Sequence, residues 1–402
     1  MLVEWKSEIK GVPKEQKVWM SHGDIVKVPP PGFEVMAFSR SGHPAAMRAP
    51  RILATQFHPE VAHTENGTEI IKMFCQEICM AQPNWRSEDV LDYTFRQVSS
   101  QVESSEKVLC ALSGGVDSTV VGKLLTTALG ADRVICVFVD NGLLRKNEFQ
   151  EVLDTYKSLG LNVTGVDAKK LFLKRLKGVS DPEEKRKIIG HTFVDVFKDE
   201  IKKHKNVTYL AQGTLYPDVI ESISPRGGSV TIKSHHNVGG LPKDLNLKLI
   251  EPLRELFKDE VRSLGDELKI PKNILWRHPF PGPGLAIRII GEVTEDDLEI
   301  LREVDAIYID ELKKNDLYMH IWQAFVVLLP TKTVGVQGDG RTYERTVALR
   351  AVTSTDGMTA DWFNFPYEFL KQASNRITNE VRGVNRVVYD ITSKPPGTIE
   401  WE

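Results

Sequence analysis

Cysteine is scarce in this chain. Four residues among 402, Cys75, Cys79, Cys110 and Cys136, exclude a disulfide-stapled fold and predict free thiols in a reducing compartment. Cys75 and Cys79 stand one helical turn apart, but no Cys-x-x-Cys pair or histidine cluster completes a zinc site, so they read as a helix face. No apolar run approaches membrane-spanning length, and the first residues lack the apolar core of a secretion signal. A cytoplasmic protein without a membrane partner is expected. An excess of positive charge is missing too: the net charge of −3 excludes a dedicated nucleic-acid binder. What remains is an ordinary globular composition, 41% hydrophobic and 27% charged, with length for two or three domains.

The stretch Ser113-Gly114-Gly115-Val116-Asp117-Ser118 organises the rest. Before it, Lys107–Leu112 is an apolar run short enough for a buried strand. Behind it, Thr119–Leu129 carries apolar residues at helical spacing and stops at Gly130, a C-cap. The hexapeptide is therefore a strand-to-helix turn. Adjacent glycines let the backbone turn tightly and approach a ligand. Two hydroxyls, Ser113 and Ser118, with the free N–H groups of a helix start, make a phosphate cradle. It is not a Walker loop, because the spacing and lysine of that motif are absent.

Around this turn the chain reads in order. Residues 1–82 are β-rich, with strands at Val18-Trp19-Met20 and Ile52-Leu53-Ala54. His58 and Glu60 are two apart, so an extended segment points them the same way, as a base and its orienting carboxylate require. Residues 86–103 form a helix, Val134–Val139 a second strand ending in Asp140-Asn141-Gly142, and Leu161–Val166 a third. The βαβ pattern predicts a parallel sheet with ligands at the strands' carboxyl ends, where Asp140 suits ribose or base recognition. Asp181 with Pro182 starts a long helix that carries Lys185-Arg186-Lys187. Strand 208–211 leads into Gln212–Ser222, and residues 222–242 read as a cationic lid containing Arg226, Lys233, His235 and His236. A helix over 257–268 closes this part.

At Arg277–Gly284, three prolines and two glycines in eight residues mark a stiff boundary. Beyond it, helices 295–314 and 367–381 and strands at 325–329, 333–337, 347–352 and 386–390 predict an α+β domain. Gly338–Arg341 falls in a turn, and the apolar, proline-pinned tail from Lys394 to Glu402 is expected to dock rather than fray.

The Ser113–Ser118 motif resembles the pyrophosphate loop of the N-type ATP pyrophosphatases, enzymes that cut ATP between the α and β phosphates to adenylate a substrate. Gln56-Phe57-His58-Pro59-Glu60-Val61 resembles the end of a class I glutamine amidotransferase domain, whose triad is Cys-His-Glu. No cysteine precedes His58, so about half of that domain and its nucleophile are missing, and glutamine hydrolysis by this chain is doubtful. Ammonia used directly, a separate glutaminase chain or a truncated copy are the open alternatives. Together with Lys233–Pro242, Arg277–Leu285, Gly335–Arg341 and the Lys-Pro-Pro tail, these motifs resemble the GMP synthetases over essentially the whole chain from residue 18.

The resemblance implies an α/β fold with three parts: a partial class I amidotransferase fragment at 1–82, a parallel-sheet ATP pyrophosphatase domain at 83–280, and an α+β substrate-binding and dimerisation domain at 281–402. It implies adenylation of xanthosine monophosphate (XMP) by ATP and Mg²⁺, then amination by ammonia or glutamine-derived ammonia, in a homodimer. It places Ser113, Gly114, Gly115, Val116, Asp117, Ser118 and Val139 on ATP, with Asp117 on the metal. Lys233 neutralises phosphate charge, and Arg186, Asp218, Gln337, Lys394, Ile399 and Glu400 bind XMP. His58 and Glu60 remain as the amidotransferase pair. A tRNA thiolase and a nucleotide-binding paralogue that serves as partner or regulator are the competing readings.

Overall fold

Short strand-forming runs separated by turn residues build the first of two units, Met1–Trp85; the second is Arg86–Glu402. The structure is a computed structural model. It describes every residue except 62, 85, 223–246, 338, 355, 356 and 358, and leaves out the side chains at 87, 221, 222 and 337.

In the first unit, β1 (Leu2–Trp5), β2 (Glu15–Lys17), β3 (Glu34–Ser39), β4 (Pro44–Ala49) and β5 (Ile52–Thr55) make one antiparallel sheet in the order β2-β1-β3-β4-β5. The helix α1 (Gly67–Met73) runs on into a π-helical turn at Phe74–Ile78, which leaves Cys75 and Cys79 exposed. The expected strand at Val18–Met20 is corrected: the ladder ends at Lys17, because the Trp19 N–H leaves it for the Thr64 hydroxyl at 3.0 Å. Val18 is instead a core residue beside Val3, Trp5, Met36 and Phe57.

The second unit opens with α2 (Ser87–Gln101), β6 (Lys107–Leu112), α3 (Val116–Leu129), β7 (Val134–Asp140), α4 (Glu148–Ser158) and β8 (Val163–Asp167). Next come α5 (Lys169–Leu176), α6 (Pro182–Lys202), β9 (Val207–Ala211), α7 (Tyr216–Ser222), β10 (Lys248–Ile250), α8 (Lys258–Glu267) and α9 (Lys272–Leu275). The five strands are parallel, in the order β10-β9-β6-β7-β8. β7 is buried at every position, as a continuous apolar run covered on both faces must be. Chain order reverses beside the central β6, and this reversal opens a crevice at its carboxyl end. Cys110 and Cys136 face each other across β6 and β7; their mutual hydrogen bond and burial push the Cys110 thiol well up. Neither is an activated nucleophile.

Helix starts follow their local signals. Asp181 accepts from the Glu184 N–H at 2.8 Å with Pro182 at the first helical position of α6. α3 ends where expected, at Gly130 with φ +91°.

The chain closes with α10 (Glu295–Lys314), β11 (Gln323–Gln337), β12 (Gly340–Thr353), β13 (Asp361–Trp362), α11 (Tyr367–Glu380) and β14 (Val384–Tyr389). The two strands expected at 325–329 and 333–337 are one, β11. Its register with β12 shifts between Leu328 and Lys332, around Pro330, whose missing N–H a bulge accommodates. On one face, Leu298, Tyr308 and Phe369 of the helices pack on Val326 and Val347. The opposite face, with Phe325, Val327, Ala348 and Val352, is covered by Ile399 of the tail. The tail docks, as its composition predicts.

Gly284 joins the two sheets closely: at φ +61°, a Cβ there would lie 2.4 Å from the Leu143 carbonyl oxygen. Gly284→Ala is expected to cost about 2 kcal/mol or more through backbone strain and displacement. A thermal melt checks this, with Gly282→Ala as the control because nothing among the described residues lies within 4 Å of its added methyl.

Candidate functional site

β6 passes into α3 through Ser113, Gly114 and Gly115. Gly114 takes φ +78°, a conformation that a side chain resists. Gly115 caps α3, so Val116, Asp117 and Ser118 form its first turn, whose N–H groups lack intrahelical acceptors. The Ser113 and Ser118 hydroxyls lie 3.0 Å apart, and Ser118 Oγ also accepts from the Ser113 N–H at 3.1 Å. The Thr119 hydroxyl donates to Gly115 O at 2.7 Å and meets the Tyr156 phenol at 3.2 Å. Burial pushes that phenol up to about 12, so it stays protonated.

Both oxygens of Asp117 accept from Lys258 Nζ at 2.6 Å, where α8 begins. Gly213 passes close beneath: a Cβ there would lie 3.3 Å from Asp117 Cβ. The motif after β9 thus needs its glycine to let α3 approach. Val139 is buried within β7. The Asp140 carboxylate is engaged by its own turn, accepting from the Gly142 N–H at 2.9 Å and pairing with Lys169 at 3.1 Å.

The proline-rich segment grips this loop from the other side. Arg277 donates to Gly114 O at 3.1 Å and pairs with the buried Glu148. Burial works against its charge, but Glu148 outweighs it and holds Arg277 above its ordinary value. His278 stacks on Tyr318 at 3.8 Å between centroids, accepts from the Ala324 N–H at 3.2 Å and has Nε2 2.9 Å from Tyr318 O. The Gln323 amide then donates both to Pro279 O at 3.1 Å and to Glu400 Oε1 at 2.7 Å. Arg288, fully buried over the Phe280 and Phe325 rings, holds the same carboxylate at 2.8 and 3.2 Å. One run of bonds therefore joins Gly114 in the loop to Glu400 in the tail through residues 277–279.

Burial pushes His278 down to about 4. Below an unfolded value near 6.5, the unfolded chain binds a proton that the folded one refuses, so stability is lost as pH falls from about 6.5 towards 4. The contribution is up to roughly 3 kcal/mol. Urea midpoints measured between pH 7 and 4.5 are expected to fall less steeply for His278→Gln than for the parent.

Other anchors fix the tail. Arg350, buried in β12, donates to the carbonyls of Thr392 at 2.5 Å, Thr398 at 3.1 Å and Ile399 at 3.4 Å. The Glu402 carboxylate lies 2.5 Å from the fully buried Lys185 ammonium, and Arg186 donates to Glu402 O at 2.5 Å. Lys394 pairs by its backbone with Ala360 and sends its amine to Gly357 O at 2.8 Å. Among the residues expected on XMP, Arg186, Ile399 and Glu400 thus belong to the docked tail and its holders. Asp218 accepts from the Leu215 N–H at 3.0 Å and caps α7. Lys233, with Arg226, His235 and His236, lies outside the described residues, as does the Gln337 side chain.

In the first unit, His58 Nδ1 and Glu60 Oε1 are 2.8 Å apart, with side chains 51% and 58% exposed. A bond from its own backbone N–H, then His58, holds the Glu60 carboxyl below the usual range. The pair expected from the His-x-Glu spacing is formed.

Sequence reasoning missed Lys258, Arg277, Arg288, Gln323 and Arg350. Arg288 and Arg350 carried a signal, being single cations inside apolar runs, Leu285–Ile290 and Val347–Val352. Lys258 had none, since a lysine opening an amphipathic helix looks solvated.

Among the described residues no group of three or more His, Cys, Asp or Glu converges as a metal site, and no helix is long and apolar enough to cross a membrane. Three family models match in chain order: class-I glutamine amidotransferase over residues 2–78, NAD synthase over 89–189, and the GMP synthase C-terminal domain over 310–401. The chain is 62% identical to a glutamine-hydrolyzing GMP synthase of Bdellovibrio bacteriovorus over 400 residues, 100% of this chain and 79% of the relative. Relatives of the same description from Nitratidesulfovibrio vulgaris and Aquifex aeolicus are each 58% identical, covering 96% and 98% of this chain and 75% and 77% of their own lengths. With the parallel-sheet cradle, the docked tail and this likeness across its whole length, the chain belongs to the glutamine-hydrolyzing GMP synthases, ligases that form a C–N bond and carry an ATP pyrophosphatase domain.

Proposed function

We propose that the second unit makes GMP from XMP in two steps. The C2 oxygen of XMP attacks the α-phosphorus of ATP; a P–O bond forms, the bond to the departing pyrophosphate breaks, and C2 carries an adenylyl group. Ammonia then attacks C2, AMP leaves with the C2–O bond, and the nitrogen's surplus protons pass to solvent. The purine oxygen alone is a poor leaving group, so ATP supplies the driving force. The protein supplies placement and charge.

The Ser113–Ser118 loop carries this reading: it lies at the carboxyl end of the central strand, at the point where strand order reverses, against a helix N-terminus. Ser113, Gly114, Gly115, Val116 and Ser118 would hold the phosphates and Val139 the adenosine side. A lone carboxylate among hydroxyls suits Mg²⁺, which is generally held by one or two carboxylates with waters and phosphate oxygens. Asp117 would hold it, and the bound ion would neutralise phosphate charge. Lys233 would add a cation. XMP would lie on Arg186, Asp218, Gln337, Lys394, Ile399 and Glu400, the last accepting from ribose or purine N–H groups. Residues 83–280 would then be the adenylating domain and 281–402 the substrate-binding and dimerisation domain of a cytoplasmic homodimer. Residues 1–82 would be part of an amidotransferase domain.

The first cysteine, Cys75, follows His58 on an exposed turn, so His58 and Glu60 have no thiol upstream of them in these 402 residues. AMP release from ATP and XMP is the test. Turnover with ammonium but not with glutamine is the expected result, and a separate glutaminase chain would restore the latter. No AMP with either nitrogen source would instead make the chain a nucleotide-binding partner or regulator.

A further inference from the structure

We propose that Arg277 is a positioning residue of the phosphate cradle: it turns the Gly114–Gly115 peptide so that its N–H faces the departing phosphates. This deepens the reading above and rests on it for the role of the Ser113–Ser118 loop.

Two adjacent glycines make this peptide easy to reverse, since neither residue resists a change in the sign of φ. As folded, Gly114 has φ +78° and Gly115 has φ −85° with ψ 165°. In a planar trans peptide the C=O and N–H point to opposite sides. On one side, Arg277 Nη1 donates to the Gly114 carbonyl oxygen at 3.1 Å. On the other, the Gly115 N–H donates to Ser113 Oγ at 3.3 Å, and that hydroxyl lies 3.0 Å from Ser118 Oγ. The N–H therefore belongs to the hydroxyl cluster, where an anion would sit. A reversed peptide would aim its carbonyl oxygen there instead, setting a partial negative charge against the phosphates.

The arginine is itself held. Its Nη2 pairs with Glu148 Oε1, while Glu148 Oε2 accepts from the Arg145 N–H at 2.8 Å where α4 begins. The Arg277 and Glu148 side chains are 19% and 5% exposed, so this is a fixed fork and not a swinging surface cation. Glu148 also neutralises the guanidinium, so its influence on a phosphate passes through the peptide rather than through its own charge. The Arg277 N–H bonds to Ile274 O at 3.2 Å, so the end of α9 fixes where the side chain starts. A cavity of about 650 Å³ borders the guanidinium, with Glu148, Tyr156, Trp276 and Tyr318 in its wall. A small cation entering it has room to replace a truncated arginine.

Calorimetric binding of inorganic pyrophosphate to the full chain in magnesium chloride tests this, because affinity and stoichiometry are read separately. Arg277→Lys keeps a cation opposite Glu148 but cannot bridge both acceptors. It is expected to bind about tenfold more weakly than the parent, at the parent's stoichiometry. Arg277→Ala is expected to bind more weakly still, and millimolar methylguanidinium to recover about fivefold in affinity while leaving the parent unchanged. An arginine with a purely structural role would lower the stoichiometry, as molecules unfold, and leave the affinity of the rest as in the parent. That result, parent-like affinity in Arg277→Lys, or no recovery in an Arg277→Ala shown by circular dichroism to be folded, overturns the proposal. Where Arg277→Ala does not fold, Arg277→Lys alone decides. A parent chain that binds no pyrophosphate overturns the cradle reading itself.

Discussion

Asp117→Asn is expected to slow AMP formation by about 10³-fold with ammonium as the nitrogen source, a loss of the size seen when one well-placed electrostatic group is removed from a transition state. The fold should survive. The Asp117–Lys258 pair is partly exposed, and such pairs contribute roughly 0–1 kcal/mol. The substitution keeps the shape of the side chain. The effect should therefore lie in the rate, with a melting temperature close to the parent's. Initial rates and a thermal melt on the same preparation decide it. Activity within tenfold of the parent would remove Asp117 from the chemistry.

Glu400→Ala is expected to act on stability and on XMP together. Arg288 is fully buried; among the described residues, two of its three nitrogens are satisfied only by Glu400 and the third, Nη1, has no hydrogen-bond partner. Removing the carboxylate strands a buried cation, which costs about 3–5 kcal/mol. Gln323 also loses the bond that ties the tail to Pro279. Glu400→Gln keeps the volume and one acceptor, so a smaller loss of about 1–2 kcal/mol is expected, with the KM for XMP raised about tenfold or more and that for ATP nearly unchanged. The double variant Arg288→Met with Glu400→Leu separates the two roles. Replacing a buried pair by apolar side chains of similar size is often neutral for stability, so urea unfolding should recover while XMP binding does not. Recovery of both would show that the pair serves packing alone.

Local signals were legible because their physics is local: the apolar run of β7, the Asp181-Pro182 cap of α6 and the glycine stop of α3 each depend on neighbours within a few residues. Signals that depend on a partner element misled. Val18–Met20 has strand composition, yet the Trp19 N–H goes to the Thr64 hydroxyl and the Val18 side chain to the core. The segment around Pro330 reads as a break, yet the long hairpin absorbs the proline as a register shift.

What the chain's own order of residues determined was the cradle, since two adjacent glycines between an apolar strand and a helix leave the backbone almost no alternative. It also determined that the tail would dock, through its apolar and proline content. Only the tertiary structure decided what surrounds the carboxylates. Lys258 reaches Asp117 across 141 residues, and Arg288 reaches Glu400 across 112. Such pairings follow from strand order and helix placement, which arise from the whole chain folding, and Coulomb attraction carries no record of them along the sequence.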